Sequence, residues 1–188
     1  MDLLGIFSAF GLSASAGLNA YIPLLVVALL ARFTDLIKLN PPWDTLTSWW
    51  IIGLLVVLSL IEFFADKVPA VNHINDIIQT IIRPVAGAIV FAASANVITG
   101  VSPVLALAIG LLTAGAVHTV KSVVVRPAVT AATAGVGNIP VSIAEDAAST
   151  VVSILSVVVP VVIACFLIVV TAWIVWIIWR RARAESRT

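Results

Sequence analysis

The feature that most constrains this chain is a series of apolar runs long enough to cross a lipid bilayer. A membrane-spanning helix needs about 20 apolar residues, because it rises about 1.5 Å per residue through a hydrocarbon core about 30 Å thick. The 188-residue chain is 62% hydrophobic and 10% charged, whereas a soluble domain is about 45–50% apolar and about 25% charged. We therefore predict an all-α polytopic membrane bundle of about five to six membrane helices. It forms a single integral membrane domain over residues 1–188.

Several classes of protein are disfavoured by composition and motif. A net charge of +1 gives no basic surface for nucleic acid, and the lone Cys165 excludes a disulfide framework or a thiolate metal site. His73 and His118 lack the spacing of metal ligands. We also find no phosphate-binding loop, zinc-protease motif or nucleophile elbow. We therefore expect no enzyme activity, no cofactor and no metal. The N-terminus has no positive segment, so a cleaved signal peptide is not expected.

The first apolar stretch, residues 3–31, leaves two alternatives open. Gly17, Asn19 and Pro23 favour a break, which gives two short helices meeting near Gly17 and Asn19. Freed backbone groups at membrane depth must then face protein or a wet cavity. The other alternative is one tilted helix with a packing face of small residues.

Further along the chain, hydropathy and proline positions predict membrane helices over 48–65, 84–99, 103–120 and 151–179. Pro84 is expected to begin its helix, and Pro140 to mark a break before a short helix. Segments 70–82 and 128–148 are expected not to span, and to be either re-entrant or interfacial. The basic tail 179–188 predicts a cytoplasmic C-terminus in a multi-pass inner-membrane protein.

Residues 61–87, "IEFFADKVPAVNHINDIIQTIIRPVAG", gather five ionisable groups in an otherwise apolar chain. Glu62 and Asp66 share a helix face as an i, i+4 pair, so in apolar surroundings one of them needs a cation or a proton. Arg83 and Lys121 are candidates to fold back onto them. Ionisable groups inside a membrane suggest a function. Alternatively, Asp66 and Lys67 lie solvated at the interface and simply end the helix.

The second half of the chain carries a similar set of polar residues: His118, Lys121, Arg126, Asn138, Glu145 and Asp146. Glu145 is expected either to pair with Arg83 or Arg126, or to act with Asp146 as an acidic cap at the start of the last helix. "IIRPVAGA" (81–88) and "VVRPAVTA" (124–131) show a weak internal sequence similarity. This similarity reflects either a transporter-like internal repeat or chance.

Three stretches together resemble a family of small bacterial integral membrane proteins of unknown function: "GLNAYIPLL" (17–25), "EFFADKVPAVNHINDIIQTIIRPVAGA" (62–88) and "NIPVSIAED" (138–146). The family pattern is similar to the string Glu, Asp-Lys-x-Pro, Asp, Arg-Pro-x-x-Gly that runs from Glu62 to Gly87. This chain departs from it at Asn19, where the family has a basic residue, and at Asn72, where it has an acid. The resemblance implies a one-domain membrane protein and no established activity.

We therefore predict a small transporter or permease for an anionic solute or phospholipid-type head group. Transport by it can be coupled to protons. We expect the protein to form a homo-oligomer in the lipid bilayer. The alternative is a non-transporting scaffold or accessory subunit whose buried charges are structural ion pairs. The candidate binding or coupling residues are Glu62, Asp66, Lys67, Asp76, Arg83, His118, Lys121, Arg126, Glu145 and Asp146.

Overall fold

The computed structural model describes residues 3–67, 69–95 and 101–185, and it describes no side chains for 3–4, 69–74, 160–165, 177–178 and 181–185. Within these ranges every regular element is a helix. The predicted all-α bundle is confirmed.

The helices of the described residues are, in chain order, α1 (Leu3–Leu18), α2 (Tyr21–Phe33), a 3₁₀ helix (Trp43–Thr47), α3 (Trp49–Ala65), α4 (Pro69–Ala95), α5 (Pro103–Val120), a π-helix (Lys121–Val125), α6 (Arg126–Thr133), α7 (Asn138–Val158) and α8 (Pro160–Glu185). The predictions for 48–65 and 103–120 are confirmed by α3 and α5. A serine precedes each of these helices and caps it through its hydroxyl oxygen. Ser48 accepts the backbone N–H of Ile51, and Ser102 accepts that of Leu105.

The first apolar stretch forms two helices rather than one tilted helix. α1 ends at Leu18 and α2 begins at Tyr21. Gly17 lies so close to α5 that a Cβ there would be 2.5 Å from the carbonyl oxygen of Ala114. The side-chain oxygen of Asn19 accepts the backbone N–H groups of Tyr21 and Ile22, both at 3.1 Å. The break therefore occurs where a glycine permits close packing and an amide caps the next helix.

Segment 70–82 is not a separate element, and Pro84 does not begin a helix. Both lie within α4, which is 27 residues long with Pro84 in its interior. A proline removes one backbone hydrogen bond, and inside a packed bundle neighbouring helices can accommodate that loss. Pro84 packs toward Gly115 of α5, where a Cβ would lie 3.7 Å from the proline ring. The predicted residues 96–99 of this helix lie outside the described residues.

The C-terminal region also differs from the prediction of one helix over 151–179. α7 ends at Val158 and α8 begins at Pro160, because proline has no N–H for the helix and disfavours a helical residue before it. Pro140 lies in the first turn of α7. The break precedes it, at a turn where Ala134 and Gly135 have φ of 51° and 88°. Segment 128–148 thus divides among α6, this turn and α7.

The core is built around α1, which packs on α4, α5, α7 and α8. Small side chains allow this close approach. A Cβ on Gly110 would lie 2.5 Å from the carbonyl oxygen of Gly87. Hydroxyl groups also link the helices, with Ser13 donating to the carbonyl of Gly110 of α5 at 2.8 Å and Ser15 meeting Ser153 of α7 at 2.7 Å. We call these contacts around α1 the small-residue seam, and its residues are Ser13, Ser15, Gly87, Gly110, Ser149 and Ser153.

Among the described residues, three helical stretches are long and apolar enough to cross a membrane: Asn75–Ala95, Pro103–Thr133 and Asn138–Val158. Four shorter apolar helices accompany them: Gly5–Leu18, Tyr21–Phe33, Trp49–Ala65 and Phe166–Trp176. By length and composition these agree with a polytopic bundle, while the exact number of crossings stays a prediction.

Candidate functional site

The charged side chains singled out in the sequence converge on one buried site next to the α1–α2 break. α3, α4, the π-helix, α6 and α7 all contribute to it. We call this site the charged cluster. Its four carboxylates and four cations, which are joined by salt bridges, are Glu62, Asp66, Glu145 and Asp146 with Lys67, Arg83, Lys121 and Arg126.

The innermost pair joins Arg83 of α4 to Glu62 of α3, as the sequence led us to expect for one of the two acids. Nη2 and Nε of Arg83 donate to Oε1 of Glu62 at 2.8 and 3.2 Å, and both side chains are 0% exposed. Oε2 of Glu62 accepts the backbone N–H of Ala20 at 3.2 Å. Glu62 therefore binds its counterion and also a free backbone group at the start of α2.

Asp66 lies at the centre of the cluster, not in solvent at an interface. It is 3% exposed, which removes the alternative that it merely ends a helix in water. Its Oδ2 is 3.5 Å from Arg126 Nη2 and 3.7 Å from Arg83 Nη2. Asn75 and Ser142 donate to its two oxygens at 2.6 and 3.3 Å. The carboxylate is thus shared by several donors on different helices.

The π-helix brings two cations onto one acceptor. Lys121 Nζ and Arg126 Nη2 each lie 2.9 Å from Oε2 of Glu145. In a regular α-helix residues five apart point about 140° away from each other, and the wider π turn brings them to the same side. Lys121 also donates to the carbonyl of Leu18 at 3.0 Å. Glu145 thus pairs with Arg126, one of the two expected partners, and not with Arg83.

Lys67 and Asp146 form the outer pair of the cluster, with Nζ 3.3 Å from Oδ2. The other oxygen of Asp146 accepts from the side-chain amide of Asn19 at 3.0 Å. Asp146 lies two turns inside α7, which begins at Asn138. Asp146 therefore lies in the interior of α7 and not at the start of the last helix, α8, so the alternative that it caps that helix is wrong.

His118 orients Arg83. Its Nδ1 is 3.2 Å from Arg83 Nη1, and its Nε2 is 3.1 Å from the hydroxyl of Thr80. Since a guanidinium only donates, Nδ1 accepts and Nε2 carries the proton. Among the described residues, no group of three His, Cys, Asp or Glu side chains is placed to hold a metal ion. The side chain of His73 lies outside the described residues.

Asp76 lies one helical turn from Gln79 and two turns from Arg83 on α4, so it faces the cluster without joining its ion pairs. Ser142 is a site residue that the sequence analysis did not single out, and Asn75 and Gln79 were not among its candidate binding or coupling residues. Ser142 carried a usable signal, because a hydroxyl three and four residues before two acids shares their helix face. Asn19 was recognised as a break but not as a partner of Asp146.

A cavity of ≈ 450 Å³ adjoins the outer pair of the cluster. We call it the vestibule. Lys67 and Asp66 line its inner side, and the turn before α7 supplies the rest of its wall: Ala134, Gly135, Val136, Asn138 and Ile139. The vestibule therefore places a cationic side chain of the cluster next to open space.

The chain belongs to the family described as Domain of unknown function (DUF4126), whose model matches residues 6–180. This agrees with the resemblance seen in the sequence. No curated protein and no solved structure shows a detectable match to the chain.

Proposed function

We propose that this protein is a small integral membrane transporter for an anionic solute or an anionic lipid head group, and that the charged cluster is its closed gate. The observation that carries the proposal is the position of Lys67. It lines the vestibule and also pairs with Asp146, which holds Asn19 at the α1–α2 break. An anion in the vestibule would compete with Asp146 for Lys67. It would thereby change the contact between Asp146 and Asn19 that holds the α1–α2 break.

The α1–α2 break supports this proposal. Its free backbone groups are held by cluster side chains, the Leu18 carbonyl by Lys121 and the Ala20 N–H by Glu62. Discontinuous helices whose ends meet charged groups are typical of secondary transporters. Charged side chains within membrane segments commonly mark a transport pathway.

The ion pairs are also arranged so that partners can exchange. Asp66 lies within 4 Å of Arg83, Arg126 and Lys121 at distances of 3.7, 3.5 and 3.9 Å. Each of these cations has a closer carboxylate as well, at 2.8 or 2.9 Å. A cation that leaves its first partner therefore meets a second one, which avoids an isolated buried charge.

Several further features belong to the same proposal. We expect an inner-membrane location with a cytoplasmic C-terminus, because the tail beyond Trp179 is rich in arginine. We expect a homo-oligomer, because a single copy has too few helices to surround a transport pathway with more than a thin wall. We propose no enzyme activity, since the described polar groups of the site are engaged in ion pairs rather than arranged as nucleophile and base.

Uptake into proteoliposomes tests the proposal. Purified protein is reconstituted and offered radiolabelled phosphate, sulfate or a dicarboxylate, and in a separate arm a fluorescent anionic phospholipid is followed across the bilayer. We expect flux of at least one anion, reduced at least tenfold in Lys67→Gln. Lys38→Gln, which removes an exposed lysine far from the cluster, is the matched control and should leave flux unchanged. Wild-type flux equal to that of empty liposomes, or full flux in Lys67→Gln, would contradict the proposal.

A second candidate is a non-transporting scaffold in which the pairs are purely structural. The fully buried Arg83–Glu62 contact at 2.8 Å favours it, because such a pair can serve specific packing alone. This candidate predicts no flux for the wild-type protein and co-purification with a stable membrane companion through an exposed helix face.

A further inference from the structure

Asp76 and Gln79 form a polar stripe on α4 that leads to the charged cluster. With Arg83 they occupy positions i, i+3 and i+7, which share one face of a helix. Arg83 is paired with Glu62 at the inner end of the stripe. The stripe therefore continues the polar surface of the cluster beyond its ion pairs.

Two oxygen atoms of this stripe have no donor among the described residues. They are Oε1 of Gln79 and Oδ1 of Asp76, and both are shielded from solvent. Gln79 is only 2% exposed. A buried acceptor without a donor is unfavourable and rare in native structures. Because the two residues lie one helical turn apart on the same face, one positively charged or proton-donating species bound between them would satisfy both oxygens.

The charges of the region give the same answer independently. The cluster itself is neutral, with four carboxylates against four cations. Asp76 is a fifth carboxylate, within electrostatic range of Arg126, Asp66, Arg83 and Lys121. Among the side chains that the structure describes here, five carboxylates against four cations leave one negative charge. A single positive charge at Asp76 would restore neutrality.

We propose that Asp76 and Gln79 bind one exchangeable monovalent cation, either a proton or Na⁺. A proton on the Asp76 carboxyl would be donated to Oε1 of Gln79 and would satisfy both oxygens. Na⁺ would be held by the same two atoms, since carboxylate and amide oxygens are suitable ligands for hard cations. A divalent ion does not fit, because one carboxylate near three cations cannot balance two positive charges.

Four charged groups of the described residues act on Asp76 electrostatically, and they lie on three other segments of the chain as well as on α4. They are Arg126 of α6, Lys121 of the π-helix, Asp66 after α3 and Arg83 of α4 itself. Occupancy of the site would therefore alter how strongly Arg126 and Lys121 bind their carboxylates. This makes the stripe a means of coupling a cation to the partner exchange of the cluster.

The experiment has two arms on purified protein in nanodiscs. In the Na⁺ arm, thermal unfolding is compared in NaCl and in choline chloride at equal ionic strength. A Na⁺ concentration well above the Kd of the site should raise Tm by roughly 5 °C. In the proton arm, infrared spectra in choline chloride are searched for the carbonyl band of a protonated carboxylic acid. Either signal supports the proposal only if Asp76→Asn abolishes it and Gln79→Leu weakens or shifts it.

Asp44→Asn is the matched control, because Asp44 lies in the 3₁₀ helix away from the cluster, and it should leave both signals intact. Absence of both signals in the wild-type protein would overturn the proposal, as would signals that survive in Asp76→Asn and Gln79→Leu. Because the wild-type spectrum is informative by itself, a variant that fails to fold does not remove the test. Both arms measure binding at equilibrium, so the site can fail while anion transport stands, and the reverse.

Discussion

α1 takes part in two buried polar regions that are built differently. In the small-residue seam its serines donate to carbonyls or meet another hydroxyl, as Ser15 and Ser153 do at 2.7 Å. At its C-terminal end it instead meets the charged cluster, where Lys121 binds the carbonyl of Leu18. The seam uses short, uncharged groups that touch only where the helix backbones lie close together. The cluster uses long, charged side chains that share partners.

This difference shows which region can change its contacts. Hydroxyl bonds and glycine contacts in the seam depend on close backbone approach, so α1 must stay where it is for them to persist. In the cluster, Asp66 has three cations within 4 Å, and a carboxylate of this kind can lose one partner and keep another. The seam therefore fixes the helices, and the proposed exchange of partners is assigned to the cluster.

The largest expected effect is that of removing one member of the innermost pair. Arg83→Met leaves Glu62 buried without its main counterion and should lower the free energy of unfolding by about 3–5 kcal/mol. Thermal or denaturant unfolding of the detergent-solubilised protein measures the loss.

The double variant Glu62→Gln/Arg83→Met is the control for this prediction. Gln keeps an oxygen for the N–H of Ala20 while removing the buried charge, so the double variant should be more stable than Arg83→Met alone. If the losses of Glu62→Gln and Arg83→Met simply add, the two side chains are not coupled. The cluster would then differ from the seam less than the structure indicates.

Close packing in the seam should be the next most sensitive feature. In Gly110→Ala the new methyl group would lie 2.5 Å from the carbonyl oxygen of Gly87 and 2.6 Å from Cβ of Phe91. We expect a loss of about 1–3 kcal/mol in the free energy of unfolding, because these backbones must separate. Gly53→Ala, where a Cβ would meet nothing within 4 Å, is the matched control. Equal effects at the two glycines would show that helix propensity, not close contact, sets the result.

The smallest effect should come from a single hydroxyl contact. Ser153→Ala removes the 2.7 Å bond to Ser15 and should lower the free energy of unfolding by about 0.6 kcal/mol, the usual size of such bonds between membrane helices. A double-mutant cycle with Ser15→Ala isolates the pair. A coupling as large as that of Arg83 and Glu62 would remove the distinction between the two regions.

Much of the site was predictable because charge in an apolar chain is conspicuous. Glu62 required a cation, Arg83 was one of the few available, and Glu145 had Arg126 as one of two expected partners. The helices α3 and α5 were predictable from uninterrupted apolar runs. What failed were inferences from proline. Pro84 lies inside α4 while Pro160 separates α7 from α8, and the residue type alone does not distinguish the two cases. The polar stripe was predicted only in part, because Asp76 is charged and was a candidate residue whereas Gln79 is uncharged and was not.

The π-helix sets the angle by which α6 is rotated about the helix axis relative to α5. One residue of an α-helix corresponds to a rotation of about 100°, so the wide turn at Lys121–Val125 acts as a fixed angular offset between the surfaces before and after it. The orientation of α6 relative to α5 is therefore fixed by this turn within one continuous helical stretch. If the same residues were wound as a regular α-helix, Arg126 would lie about 140° from Lys121 and would turn away from Glu145. The recognition of one carboxylate by two cations thus depends on the local winding of the helix as much as on the chemistry of the side chains.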